Sequence, residues 1–194
     1  ATMMLMRDLA MGKIKTAKNT LIAAIPVYSV GGMLNRNSHS RANQNGPEEY
    51  GFRGNARNYD LNRDFIKSDT KNSRSFQKLF TELNPDIFLD NHVSNGADYQ
   101  YTFTCIATQH ERLGNKLGNY FINELYPSVV KDMNKKKIDV VPYVNVHSTT
   151  PDKGFEQFTD TPRYATGYST LFHTLGFVPE THMLKVYKER VKVT

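Results

Sequence analysis

A chain of 194 residues is long enough for one domain with a substantial apolar core. Its 39% hydrophobic and 23% charged residues exclude a disordered chain, and no apolar run reaches the roughly 18 residues of a membrane span. The net charge of +6 gathers partly on Lys135, Lys136 and Lys137 and on a tail with Lys185, Lys188, Arg190 and Lys192. These read as solvated faces and helix ends, and without interleaved stacking aromatics they argue against a nucleic-acid surface.

In chain order, residues 3–11 have the spacing of a helix, with Met3, Met4, Met6, Leu9 and Ala10 recurring on one side and no capping residue ahead of them. Residues 21–28 form an apolar strand-sized run in which Pro26 predicts a sheet edge or a strand end. From 29 to 62 the pattern dissolves into Gly, Asn, Ser and Arg, a loop long enough to be functional or disordered. Residues 73–83 return to helix, with Phe76, Leu79, Phe80 and Leu83 on one face and Asn84-Pro85 as the stop. A short buried strand is predicted over 86–91 and another over 101–107. The latter holds Cys105, whose solitary thiol excludes an intrachain disulfide and reads as a buried small apolar group. Leu113, Leu117, Phe121 and Leu125 predict a helix that Pro127 interrupts, and 138–146 a strand containing Pro142. A short helix over 169–175, capped by Ser169 and stopped by Gly176, precedes a strand at Phe177 and Val178. Helices alternating with short buried strands predict an α/β fold, one domain over residues 1–194.

Ligands of open α/β sheets bind beyond the carboxyl ends of strands. That rule singles out His92, after Ile87-Phe88-Leu89, and Glu180, after Phe177-Val178. His92 follows Asp90-Asn91 and is either a metal ligand oriented by a neighbour or a partly buried imidazole satisfied by backbone. Glu180 is either a general base or a surface carboxylate. Arginines at 36, 41, 53, 57 and 63 cluster in the Gly/Asn-rich region, where guanidinium groups suit carboxylate or phosphate recognition. Asn62 beside Arg63 joins a neutral donor to a bidentate charged one, a grip for a carboxylate, unless the segment is only a turn that caps a helix.

Four stretches together carry a resemblance. Asp60-Leu61-Asn62-Arg63-Asp64-Phe65 resembles the Asp-x-Asn-Arg-Asn-Phe stretch of the M14 zinc metallocarboxypeptidase family. Phe88-Leu89-Asp90-Asn91-His92 looks like that family's strand ending in its third zinc ligand. Tyr164-Ala165-Thr166-Gly167-Tyr168-Ser169 is similar to its tyrosine-containing Gly/Ser-rich loop. Phe177-Val178-Pro179-Glu180 falls where the family has the strand leading to its catalytic glutamate. The resemblance implies a three-layer α/β/α fold with a central mixed, mostly parallel sheet, and a hydrolase that removes C-terminal residues from peptides with one zinc ion. It makes His92 a zinc ligand, Asn62 and Arg63 the binders of the substrate's terminal carboxylate, and Glu180 the general base. Asp60 becomes the acid that orients a ligand histidine. Arg41 becomes the carbonyl-polarising arginine, with Arg36 as alternative, and Tyr164 the substrate-capping tyrosine, with Tyr168 as fallback. Relatives of this type are commonly exported, so an extracytoplasmic location is implied by the resemblance alone.

Three departures matter. No His-x-x-Glu, the source of the family's first two zinc ligands, occurs anywhere in the chain. Residues 3–11 look like the helix that follows this motif, which places the missing ligands upstream of Ala1 and makes the domain incomplete, with weak zinc binding and no activity. The family's Asn-Pro-Asp-Gly turn is replaced by Tyr28-Ser29-Val30-Gly31-Gly32. The loop Gly167-Tyr168-Ser169-Thr170-Leu171 has no acid at its base, which argues against a preference for basic terminal side chains. Two other readings use the same residues: a related zinc amidohydrolase (an N-acyl amino acid deacylase or a peptidoglycan-peptide amidase), and a metal-free carboxylate-binding module.

Overall fold

The computed structural model of the protein describes residues 1–41, 43–94 and 98–194. Among the described residues, three α-helices precede the first strand: α1 (Thr2–Ala10), α2 (Val30–Leu34) and α3 (Lys71–Leu83). The strands β1 (Ile87–Leu89), β2 (His92–Val93) and β3 (Phe103–Ala107) follow, then α4 (Asn115–Tyr120) and α5 (Tyr126–Lys135). After β4 (Val141–Pro142), β5 (Val144–Val146) and β6 (Phe155–Gln157) come α6 (Ala165–Ser169), β7 (Leu175–Thr181) and α7 (Tyr187–Val193).

β7, buried along its whole length, is the central strand. β1 and β2 both run parallel to it on one side, β3 is antiparallel on the other, and β4 is parallel to β3. Three of these four pairings are parallel, so the sheet is mixed and mostly parallel. Alternate side chains of β3 and β7 enter two separate cores, as the period of two requires. Ile106 and Val178 pack with Phe65, with Phe76 and Phe80 of α3, and with Ala165 and Tyr168 of α6. Phe103, Cys105, Leu175 and Phe177 pack with Leu113 and Phe121, and Leu117 and Leu125 join them. Helices thus cover both faces of the sheet, giving three α/β/α layers.

α3 forms where its apolar spacing demands. The Thr70 hydroxyl accepts the Ser73 N–H at 3.0 Å to cap it, and Asn84 ends it in the left-handed region at φ 42°. Elsewhere local pattern and fold differ. Residues 21–28 form no strand and Leu21 is 81% exposed, because no partner strand is there to satisfy their backbone groups. Pro127 does not end its helix. A π turn over Phe121–Leu125, with the Tyr126 N–H bonded to the Phe121 carbonyl, widens the helix just where the proline ring would strike a carbonyl, and α5 continues the axis. The single strand expected over 138–146 divides at Tyr143, β4 joining β3 while β5 pairs with β6. The helix expected to start at Ser169 starts at Ala165 instead, because the Asp160 carboxylate accepts the N–H groups of Thr166 and Gly167 at 3.0 and 3.1 Å. Ser169 lies inside it and bonds back to the Thr166 carbonyl at 2.9 Å.

Candidate functional site

Strand register builds the acid–histidine part of the site. β1 and β2 are one interrupted path along β7, and His92 sits directly opposite Glu180. His92 Nδ1 lies 3.3 Å from Glu180 Oε1, and Nε2 lies 2.9 Å from Asp90 Oδ2. Asp90 is held there by its own N–H bonding the Phe177 carbonyl at 3.0 Å. Burial alone would lower the His92 pKa, but the charges and hydrogen bonds of Asp90 and Glu180 outweigh it and raise the imidazole to about 10. Glu180 is 8% exposed, and its second oxygen, Oε2, is enclosed without a hydrogen-bond partner. Contrary to expectation, Glu180 lies inside β7 rather than after it.

The carboxylate-gripping part sits on a 3-10 turn, Leu61–Arg63. Asp60 Oδ1 accepts the Asn62 N–H at 3.0 Å and starts the turn. Asp64, 4% exposed, ends it: Oδ2 accepts from the Ser73 hydroxyl at 2.5 Å, the Thr70 hydroxyl at 2.8 Å and the Thr70 N–H at 3.0 Å, and Oδ1 accepts the Asp69 N–H at 2.9 Å. This anchors the turn to the first residues of α3. Burial works against the ionised form of Asp64, yet the four donors hold its pKa below the ordinary value. Arg63 donates to the Asn62 carbonyl at 2.9 Å and lies 4.6 Å from the centre of the Tyr164 ring, a cation–π contact. Tyr164 in turn packs edge-on against Phe158.

One pocket is lined by Asn62, Arg63, His92, Tyr164 and Glu180. Arg41, expected to polarise the carbonyl, is not among its lining residues. It is half-buried, and its pKa falls through burial and the repulsion of Arg53, which Asp60 opposes. Arg53 occupies the wall itself, its Nε 2.9 Å from Asp60 Oδ2. Asp90 is the carboxylate against His92 Nε2, and the contacts of Asp60 are with the turn and Arg53. Arg36 is taken up by Glu49 at an exposed position, and Tyr168 is a core residue, 4% exposed. Arg53 belonged to the arginine cluster legible in sequence. Asp160, also in the pocket wall, carried no such signal.

Among the described residues, no group of three or more His, Cys, Asp and Glu side chains is placed to hold a metal ion. Both nitrogens of His92 are engaged by carboxylates, so the residues present do not fit a complete catalytic zinc centre. Among the same residues, no helix is long and apolar enough to cross a membrane.

No protein-family model matches the chain, and no curated protein sequence matches it. Its fold is similar to that of a metallo-carboxypeptidase from Burkholderia cenocepacia, known from a crystal structure, with a TM-score of 0.53 and 14% identity. The likeness covers 74% of this chain and 38% of that one. The chain thus spans well under half the length of that neighbour, and at this identity the likeness shows the fold.

Proposed function

We propose that the pocket is the substrate-recognition and general-base wall of a zinc carboxypeptidase of the M14 type, acting on peptides or peptide-like molecules with a free carboxylate. The observation that carries this reading is the convergence of Asn62, Arg63, His92, Tyr164 and Glu180, distant in sequence, on one pocket. Arg63 supplies a charged fork and Asn62 a neutral donor for the terminal carboxylate, which an internal peptide bond does not offer. Tyr164 closes over that grip. Glu180, in the pocket wall, takes a proton from water and returns it to the departing amine. Arg53, in the pocket wall where Arg41 is not, steadies the oxyanion, a contribution of about 3 kcal/mol for a donor of this kind. His92, in the pocket wall, is the imidazole this reading assigns to the metal, in place of its present contacts with Asp90 and Glu180.

A second reading, a carboxylate-binding module without a metal, is favoured by the engagement of both His92 nitrogens. Zinc content and release of C-terminal residues separate the two, measured on this chain and on the product of its gene read further upstream. The proposal expects zinc well below one ion per chain and no release here. The longer product should hold one zinc and lose release on Glu180→Gln. A longer product that neither binds zinc nor cleaves leaves the binding module.

A further inference from the structure

The chain leaves the main sheet after β4, and β5 and β6 pair only with each other as a two-stranded hairpin. Register decides which of the hairpin's side chains share a face. Asn145 stands opposite Glu156, so strand alternation puts Tyr143 and Asn145 on one face with Glu156 and Phe158, and Val144, Val146 and Gln157 on the other. Side-chain contacts agree. The Tyr143 and Phe158 rings meet edge-on with their centres 6.4 Å apart, and His147 Nδ1 lies 3.9 Å from Glu156 Oε2. The first face turns to the pocket, whose wall contains Tyr143, Asn145 and Phe158 but not Val144, Val146 or Gln157. Tyr99 pins the hairpin there: its hydroxyl donates to the Val144 carbonyl, and its ring packs edge-on against Tyr143 and the buried His182.

The wall has a spatial order. The Arg63 guanidinium is 4.6 Å from the Tyr164 ring centre, Tyr164 is 5.1 Å from Phe158, and Phe158 is 6.4 Å from Tyr143. Asn145 follows two residues beyond Tyr143, a polar side chain at the end of an aromatic row. It is exposed, and among the described residues its amide makes no hydrogen bond. We propose that Asn145 binds the peptide group that precedes the scissile bond, so that the site takes peptides in preference to simple N-acyl amino acids. A peptide group offers one N–H and one carbonyl, and an asparagine amide meets both with its own acceptor and donor. That group lies about two residues, roughly 7 Å, from a terminal carboxylate, a reach of the same order as the row between Arg63 and Tyr143. Asn62 and Arg63 must hold the chain end first, so the subsite depends on the carboxylate reading above.

N-acetyl-alanyl-alanine and N-propionyl-alanine share the terminal carboxylate, the terminal side chain and the amide to be cut. They differ in the acetamido group that carries the preceding peptide bond. Titration calorimetry should find the first about tenfold tighter, and the Asn145 side-chain amide signals in NMR should move with the first and not with the second. Asn145→Ala should bring the first down to the level of the second, whereas Gln157→Ala, on the opposite face, should keep the difference. Equal affinities in the wild type, unmoved Asn145 signals, or a preference that survives Asn145→Ala overturn the proposal while the carboxylate grip stands. If neither compound binds, the carboxylate reading falls and the subsite with it. Should Asn145→Ala fold poorly, the wild-type affinities and the amide signals decide alone.

Discussion

Replacing Asp64 by Asn tests how the Asn62–Arg63 turn is held. An Asn that keeps its oxygen at the Oδ2 position still meets the donors of Thr70 and Ser73, but its amide group then faces the Asp69 N–H, two donors against each other. One bond is lost with a buried group left unpaired, at about 1–3 kcal/mol, and three charge-assisted bonds become neutral ones of roughly half the strength. A total near 3 kcal/mol is expected, which for a chain of this size lowers the melting temperature by about 6–12 °C. Acid unfolding gives an independent reading. The Asp64 pKa is depressed by folding, so its contribution is present above the unfolded carboxylate value near 4 and is lost as pH falls through the lower folded value. Thermal melts followed by circular dichroism between pH 2 and 7 should show the variant nearer the wild type at the acid end. A melting temperature within 1 °C of wild type at pH 7, or an unchanged acid limb, would refute the anchoring argument.

Two further outcomes follow from the same geometry. A Cβ at Gly167 would stand 2.1 Å from the Thr161 carbonyl oxygen and 2.7 Å from that of Asp160, both backbone atoms. Gly167→Ala should therefore cost about 3 kcal/mol or more, seen as a lowered melting temperature, and near-wild-type stability would contradict the close packing of α6 on the 160–161 strand of chain. The His92 imidazole should titrate near 10, because Asp90 and Glu180 outweigh its burial. Its pKa is raised by folding, so the stability it contributes is complete below about 6.5 and is lost as pH rises through about 10. NMR of the ring protons checks this: Asp90→Asn should move the midpoint toward the ordinary histidine range, and a wild-type midpoint at 6–7 would show that the carboxylates do not hold the ring.

Much of this architecture was legible before folding, for identifiable reasons. The α3 helix and β3 announce themselves through apolar spacing and the stop at Asn84-Pro85, and Phe76, Phe80 and Cys105 are buried as expected; β1 forms where its apolar run predicts, but as the edge strand it leaves Ile87 and Leu89 exposed. Residues 21–28 have a strand's composition and no partner, which composition does not reveal. Pro127 signals a break that a π turn absorbs, and α6 begins early because its cap comes from Asp160, five residues ahead of Ala165, instead of from an adjacent residue. In the site, Asn62, Arg63, His92, Tyr164 and Glu180 stood out because their chemistry is written in short motifs at strand ends and loops. Arg53 was legible only as one of five clustered arginines and Asp160 not at all, since what distinguishes them is which neighbours folding gives or denies them.

The central claim is that Asn62 and Arg63 hold the free carboxylate of a chain end. Calorimetric titration with an N-acetyl dipeptide and with its C-terminal amide examines that most directly, in the wild type and in Arg63→Gln. The acid should bind at least about tenfold tighter than the amide, and Arg63→Gln should bring the acid down to the level of the amide with little change in melting temperature. Indistinguishable affinities for acid and amide in the wild type would contradict it.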